Sequence, residues 1–231
     1  MSPADSADEE RPLRTHYGEE LDQLHLQVEL MGVRVDENLE RMRSVLLDGD
    51  ESLLPVALVA DDEIDAMNVS LTERCYLLLA RESPVAADLR LVTSVLRVIA
   101  ELERIGDLAL RIVKLAPEHH LLVADGGCHD ILAVMADEAL DRYRTALRAW
   151  AGRDLDLAAG LTEPSKAMDL AADGLTERVL HLDGPDCVPV ALRVTAAARA
   201  LDRIADHTVV LGARIRYMLT GEPAHLAAEV R

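Results

Sequence analysis

Leu102-Glu103-Arg104-Ile105-Gly106-Asp107 returns almost unchanged as Leu201-Asp202-Arg203-Ile204-Ala205-Asp206. Residues four apart share one face of a helix, a turn apart, so each copy sets two carboxylates side by side. A single pair of this kind is either an ordinary surface charge pair or half of a metal site, and its return inside equally apolar sequence favours the metal reading. The matching extends outward from this motif. Leu39-Glu40-Arg41-Met42-Arg43-Ser44-Val45-Leu46 pairs with Leu140-Asp141-Arg142-Tyr143-Arg144-Thr145-Ala146-Leu147, every change conserving charge or apolar character. Leu71-Thr72-Glu73-Arg74 recurs identically as Leu175-Thr176-Glu177-Arg178. The three matches keep their order, at separations of 101, 104 and 99 residues. That period is too long for a solenoid, so the chain reads as two tandem domains.

Composition points the same way. The chain has 231 residues, half of them apolar, enough for a core in each half. Leu, Ala and Val dominate, Phe is absent and Trp150 is the single tryptophan. Leu and Ala with many Glu and Arg suit packed helices better than a sheet. A formal charge of −18 excludes a general nucleic-acid binder, which needs a basic face, and disfavours docking on anionic lipid. Cys75, Cys128 and Cys187 lack metal or redox spacing, which fits a reducing compartment, and Cys75 reads as packing between Leu71 and Leu78. Residues 1–14 are polar and acidic without the apolar stretch of a secretory signal, and no window is apolar enough to span a membrane, so a cytoplasmic location is expected.

Six helical segments follow, three per half. The first, about Tyr17–Leu47, carries Leu21, Leu24, Val28, Met31, Val35, Leu39, Met42 and Leu46 at helical spacing. The second starts at a Ser52 cap, carries Leu58, Ile64, Met67, Leu71 and Leu78, and stops near Arg81. Ser83-Pro84 reads as cap and first-turn proline of a third helix that ends at Leu115. The second half repeats the scheme at about Asp130–Ala151, Leu155–Leu182 and Val188–Leu219, with a frayed tail beyond Gly221. Short links imply antiparallel neighbours. The expected fold is all-α: a disordered tail over 1–14, a three-helix bundle over 15–118, a junction, and a second three-helix bundle over 128–220.

On the third helix, Val95, Val98, Leu102, Ile105, Ala109 and Ile112 form the core stripe, and Arg97, Glu101, Arg104 and Arg111 a charged surface stripe. Glu103 and Asp107 lie beside the core, in line with Leu96, Ile99 and Leu110, where their repulsion is poorly solvated and a cation relieves it. The second helix offers Asp61 and Asp65, also four apart. The second copy offers Asp169 against Asp202 and Asp206, with Ser165 where the first has Asp61, so its site is one carboxylate poorer unless a register shift recruits Asp173. All-carboxylate ligation suits magnesium, calcium, manganese or iron better than zinc. The alternative is that these acids pair with Arg104, Arg203 or nearby Lys and Arg on a solvated face, and both arginines read as structural partners rather than anion ligands. His207 reads as a surface or packing residue, and His119-His120 as exposed at the junction. Glu222-Pro223-Ala224-His225 is an accidental Glu-x-x-His, so the internal pairs of a di-iron carboxylate bundle are missing. With no phosphate loop, nucleophile elbow or kinase signature, no catalytic residue is assigned.

Asp88-Leu89-Arg90-Leu91, then Ala100-Glu101-Leu102-Glu103-Arg104-Ile105-Gly106-Asp107, in a duplicated three-helix chain, resembles the PhoU family of bacterial phosphate-uptake regulators, over roughly residues 14–220. The second copy is similar to that family's second motif, with Ala205 where a glycine is also common. The resemblance implies a cytoplasmic homodimer of two three-helix bundles that binds a divalent or trivalent metal (iron, manganese, magnesium or zinc). The metal acids map to Glu103 with Asp107 and Asp202 with Asp206, with Asp61, Asp65 and Asp169 as companions. It also implies a negative regulator of the phosphate regulon, an adaptor between the ATPase subunit of a phosphate ABC transporter and a sensor histidine kinase, reaching the membrane only through those partners. Two other readings stay open: an accessory subunit of another transporter, and a metal-dependent helical-bundle enzyme.

Overall fold

The computed structural model describes the backbone of residues 3–230 and the side chains of residues 17–227. Helix α1 (Pro3–Asp48), α2 (Leu53–Glu82) and α3 (Ala86–Val113) form the first bundle. A 3-10 turn and α4 (His119–Leu122) lead to α5 (Gly126–Gly152), α6 (Leu155–Leu161), α7 (Lys166–Leu180) and α8 (Cys187–Thr220). Among the described residues there is no strand, as the Leu- and Ala-rich composition requires. The tail expected over 1–14 to be disordered instead has helical backbone from Pro3, continuous with α1, and the side chains of residues 1–16 lie outside the described ones.

The α1 stripe packs as its periodicity demands: Leu21, Leu24, Val28, Met31, Val35, Leu39, Met42 and Leu46 are all buried. Each such side chain contributes roughly 1.5–3 kcal/mol of burial. The third-helix stripe from Val95 to Ile112 is likewise buried. On α2, Leu58 is exposed, and Ala57 and Ala60 face the core instead. Small residues there let α2 approach α1 and α3 closely. Each repeated segment falls on the corresponding helix: 39–46 on α1 and 140–147 on α5, 71–74 on α2 and 175–178 on α7, 102–107 on α3 and 201–206 on α8.

The two bundles are fused. Helix α3 lies against α8 and α1 against α5, and one hydrophobic core runs through both halves. Polar clasps lock the α1–α5 seam. Tyr143 is fully buried and donates its hydroxyl to the Gly32 carbonyl at 2.7 Å. Arg144 forks onto Asp36 and Glu40. Trp150 stacks on His25 at 4.7 Å and donates its indole N–H to the His25 carbonyl, while His25 Nε2 meets the Trp150 carbonyl.

Several local expectations change. Ser52 makes no capping bond; its amide and hydroxyl both donate to Asp50. Ser83 does not open α3 but closes α2, with φ +46° in the left-handed region. The junction is largely helical, and α5 starts at Gly126 because Asp125 caps it, accepting from the Cys128 amide at 2.8 Å and from Arg178. The single helix expected over Leu155–Leu182 is broken into α6 and α7 around Pro164, whose ring and missing N–H interrupt a helix interior. His119 is half-buried rather than exposed: its Nε2 meets the Leu46 carbonyl at the end of α1. Gly49 makes room for it, having φ +72° and no Cβ, which would stand 2.5 Å from the ring. The tail past Gly221 is not frayed but continues as 3-10 turns, Pro223–Val230, against α8.

Candidate metal-binding acid clusters

The long, uninterrupted α2 lays Asp61 and Asp65 along the face of α3 that carries Glu103 and Asp107. Ile64, fully buried between the acids of α2, anchors that contact. Asp61 Oδ1 stands 3.7 Å from where a Cβ on Gly106 would lie, so this acid sits directly over the α3 motif. That spacing is ordinary contact, so glycine is not required there, and Ala205 holds the equivalent place on α8.

Electrostatics tie the four acids together. Burial, then Asp107 and Asp65, push the Asp61 carboxyl up to about 6, with Lys114 opposing. Burial, then Asp107 and Asp62, raise Asp65. Burial, then Asp107 and Asp65, raise Glu103, with Arg104 opposing in part. Asp107 is thus the common neighbour, and the four acids share one half-solvated patch in which Asp61, Asp65 and Glu103 are all raised by burial and by nearby negative charge. They are neighbours rather than a finished cage: among the described residues no three His, Cys, Asp or Glu side chains form a group able to hold an ion as they stand.

The second copy is thinner. Burial, then Asp206 and Asp169, raise the Asp202 carboxyl, so these three acids meet across α7 and α8. Ser165 has a different task from Asp61. The helix break at Pro164 makes it the N-cap of α7, accepting from the Met168 amide at 3.1 Å and donating its hydroxyl to Glu138 at 2.5 Å. Asp173 is exposed and is not among the groups that perturb Asp202.

Glu101 overturns the surface stripe expected on α3. Its side chain is 1% exposed, because α8 covers that face; it accepts from Arg104 at 2.9 Å and from His207 Nδ1 at 2.6 Å, and forms an ion pair with Arg97 at 3.2 Å. Burial pushes the Glu101 carboxyl up, but His207, Arg97 and Arg104 outweigh it and hold it below its ordinary value. His207 is therefore a partner in a buried ion network, not an isolated surface group. The one sequence signal for this was Glu101 lying three and four residues from two arginines. Arg104 is a structural partner as expected; Arg203 is exposed and makes no ion pair or hydrogen bond among the described residues. All three cysteines are free, and burial pushes Cys75 up to about 12, so it is an inert packing group.

Residues 28–116 match the PhoU domain model. The phosphate-specific transport system accessory protein PhoU homolog of Pseudomonas putida is 29% identical over 211 residues, covering 89% of this chain and 81% of that protein. The crystal structure of PhoU from Pseudomonas aeruginosa superposes with a TM-score of 0.74 at 27% identity, covering 89% of this chain and all of that one. The PhoU structure from Streptococcus pneumoniae, at 22% identity, shares the fold with a TM-score of 0.79 over 89% of this chain and 98% of that one. The repeated acid motif, the all-helical fold and these matches together make this chain similar to PhoU proteins over nearly its whole length, with the PhoU domain model itself matched across the first bundle.

Proposed function

We propose that this protein is an accessory regulator of phosphate transport that restrains phosphate uptake and the phosphate-starvation response. In this reading it works as a homodimeric adaptor on the cytoplasmic side, between the ATPase subunit of a phosphate ABC transporter and a sensor histidine kinase. The observation that carries the proposal is similarity over nearly the whole chain to proteins named as phosphate-specific transport system accessory proteins. No helix among the described residues is long and apolar enough to cross a membrane, consistent with reaching the transporter through partner proteins. The role calls for no catalysis.

Metal binding forms part of the proposal. Asp61, Asp65, Glu103 and Asp107 would hold one cation, and Asp169, Asp202 and Asp206 a second. The donor set fits: oxygen-only ligands whose carboxyls are raised by burial and mutual repulsion gain most from a hard cation. When bound, the ion would supply positive charge that couples α2 to α3 and α7 to α8, a structural or regulatory role.

Deleting the gene tests the regulatory reading. Phosphate-regulon expression should rise under phosphate-replete growth and return to repression on complementation. Unchanged expression together with unchanged phosphate uptake would refute it.

A further inference from the structure

The seam between α7 and α8 is open where its counterpart between α2 and α3 is closed. Cys75, Leu78 and Val92 of the first half are buried, whereas Val179, Leu182 and Ala191, which stand in their places by the repeat spacings, are only half-buried. Arg199 is one cause: it replaces Ala100 of α3, and closing α7 onto it would bury a guanidinium at a cost in desolvation. Two clefts of about 210 and 480 Å³, which share Val179, Thr195 and Arg199, run along the gap. The buried Met135 of α5 lines the smaller one as its floor. Along the gap Leu180, Val188 and Leu192 are 78%, 63% and 60% exposed. A contiguous apolar strip rimmed by polar residues marks an interaction site.

Charge along the groove has an order. Asp202 lines one end, with Asp169 close enough to raise its carboxyl and the exposed Asp173 a turn further along α7. The turn between α7 and α8, at the other end, carries the exposed Asp183 and Asp186. Where the two clefts meet lies Arg199, the one cation lining either of them. Arg178 and Arg193 are turned to Asp125 and Glu118, and Lys166, a turn before Asp169, offsets a single acid. The groove therefore reads acid, base, acid. A second copy of this chain, at −18, would bring like charge to both ends, which disfavours self-association here.

We infer that this groove binds one amphipathic helix of a partner protein, apolar along its buried face, basic at both ends, and bearing a carboxylate where it meets Arg199. Two helices with a buried floor between them offer ridges and a groove for a third, and the described residues include no strand whose edge a partner could extend. From Val188 to Asp202 the groove follows α8 for about 21 Å at 1.5 Å per residue, the length of a four-turn helix. Apolar side chains at three- and four-residue spacing on that helix fill the strip from Leu180 to Leu192. The inference goes beyond the regulatory role proposed above, which names no surface. Its test needs neither transporter nor kinase, so either can fail alone.

The test is fluorescence anisotropy of dye-labelled synthetic peptides titrated with the full-length protein, in excess chelator and at about 0.15 M ionic strength. The first peptide is a four-turn helix with a Leu stripe, Lys at both ends and one Glu between; the second scrambles the same residues to break the stripe; the third replaces the Glu by Lys. The expected result is saturable binding of the first, with at least a roughly tenfold loss for the second and a smaller loss for the third. Arg199→Glu should reverse the preference between the first and third peptides, which no loss of fold can do. Leu180→Gln with Leu192→Gln should weaken the first peptide roughly tenfold, while Val69→Gln with Leu77→Gln, equally exposed on α2, should leave it unchanged. The inference is overturned if the first peptide fails to bind at about 100 µM protein or if the scrambled one binds as well. It is equally overturned if Arg199→Glu leaves the preference as it was, or if the α2 change weakens binding as much as the groove change. Sedimentation showing that the groove change splits a dimer would assign the groove to a second copy and overturn it too.

Discussion

Replacing Asp61 by Asn should stabilise the metal-free protein at pH 8 and do nothing at pH 4, because the acid cluster costs folding energy only when its members are ionised. The folded carboxyl sits at about 6 against an ordinary value of 3.8. Below pH 3.8 both folded and unfolded chains hold the proton, and the cluster is free of strain. Between 3.8 and 6 the unfolded chain has lost the proton while the folded chain retains it, so stability falls as pH rises. Above 6 the folded chain is ionised too and the full cost is in place. At 1.36 kcal/mol per pKa unit the ceiling is about 3 kcal/mol. Asp61 is only half-buried and water screens its neighbours, so we take roughly half of that, about 1.5 kcal/mol. For a chain of this length that corresponds to a rise in Tm of about 3–6 °C.

Thermal unfolding followed by circular dichroism in excess chelator, at pH 4 and pH 8, measures the effect, with Glu177→Gln, exposed on α7, as the charge control. Added metal should then reverse the order. A ligand at a hundred times its Kd stabilises by about 2.7 kcal/mol, so the parent protein should gain on metal addition and Asp61→Asn should gain much less. A lower Tm for Asp61→Asn at pH 8, or an equal gain at both pH values, would refute the reasoning.

Two further outcomes are expected. Glu103→Ala with Asp107→Ala should remove most of the bound metal, and Asp202→Ala with Asp206→Ala much less, because Ser165 caps α7 and leaves the second cluster one acid poorer; equal losses by metal analysis would sink the asymmetry. Glu101→Gln should lower stability by about 3 kcal/mol in urea unfolding, the low end for breaking a buried ion pair because the half-exposed Arg104 can rehydrate; a loss under about 0.5 kcal/mol would show that the network adds little to stability.

Elements governed by local periodicity were readable in advance. The eight-residue stripe of α1 and the six-residue stripe of α3 are buried as their spacing requires, since a helix with one apolar face has few other ways to hide it. The acid pairs were readable for the same reason: four-residue spacing puts Glu103 by Asp107 and Asp202 by Asp206 wherever the helices pack. Asp61 and Asp65 joined the first pair because α2 is unbroken across them. Pro164 was present in the sequence, and giving it due weight would have broken the helix expected over Leu155–Leu182 and recast Ser165 as a cap.

Glu101 shows where such reading stops, and why. A helix in an isolated three-helix bundle buries one stripe, so a Glu flanked by arginines belongs on the outside. Helix α3 buries two, one against α1 and α2 and the other against α8, and no periodicity within α3 announces the second partner. The information lies 106 residues away, in His207. The two halves share sequence motifs, yet the face by which they join sets α3 against α8, the helix with the matching motif, and the two helices meet with different residues on that face. Glu101 of α3 corresponds to Ala200 of α8, and Arg104 to Arg203, one arginine paired and the other not. Two helices with matching motifs that pack against each other are under no requirement to keep the contact symmetric. The acid motifs remain recognisably alike where they face α2 and α7, although Asp206 also reaches the seam; the seam is where the two helices differ, and it is there that Glu101 lies buried among Arg104, Arg97 and His207.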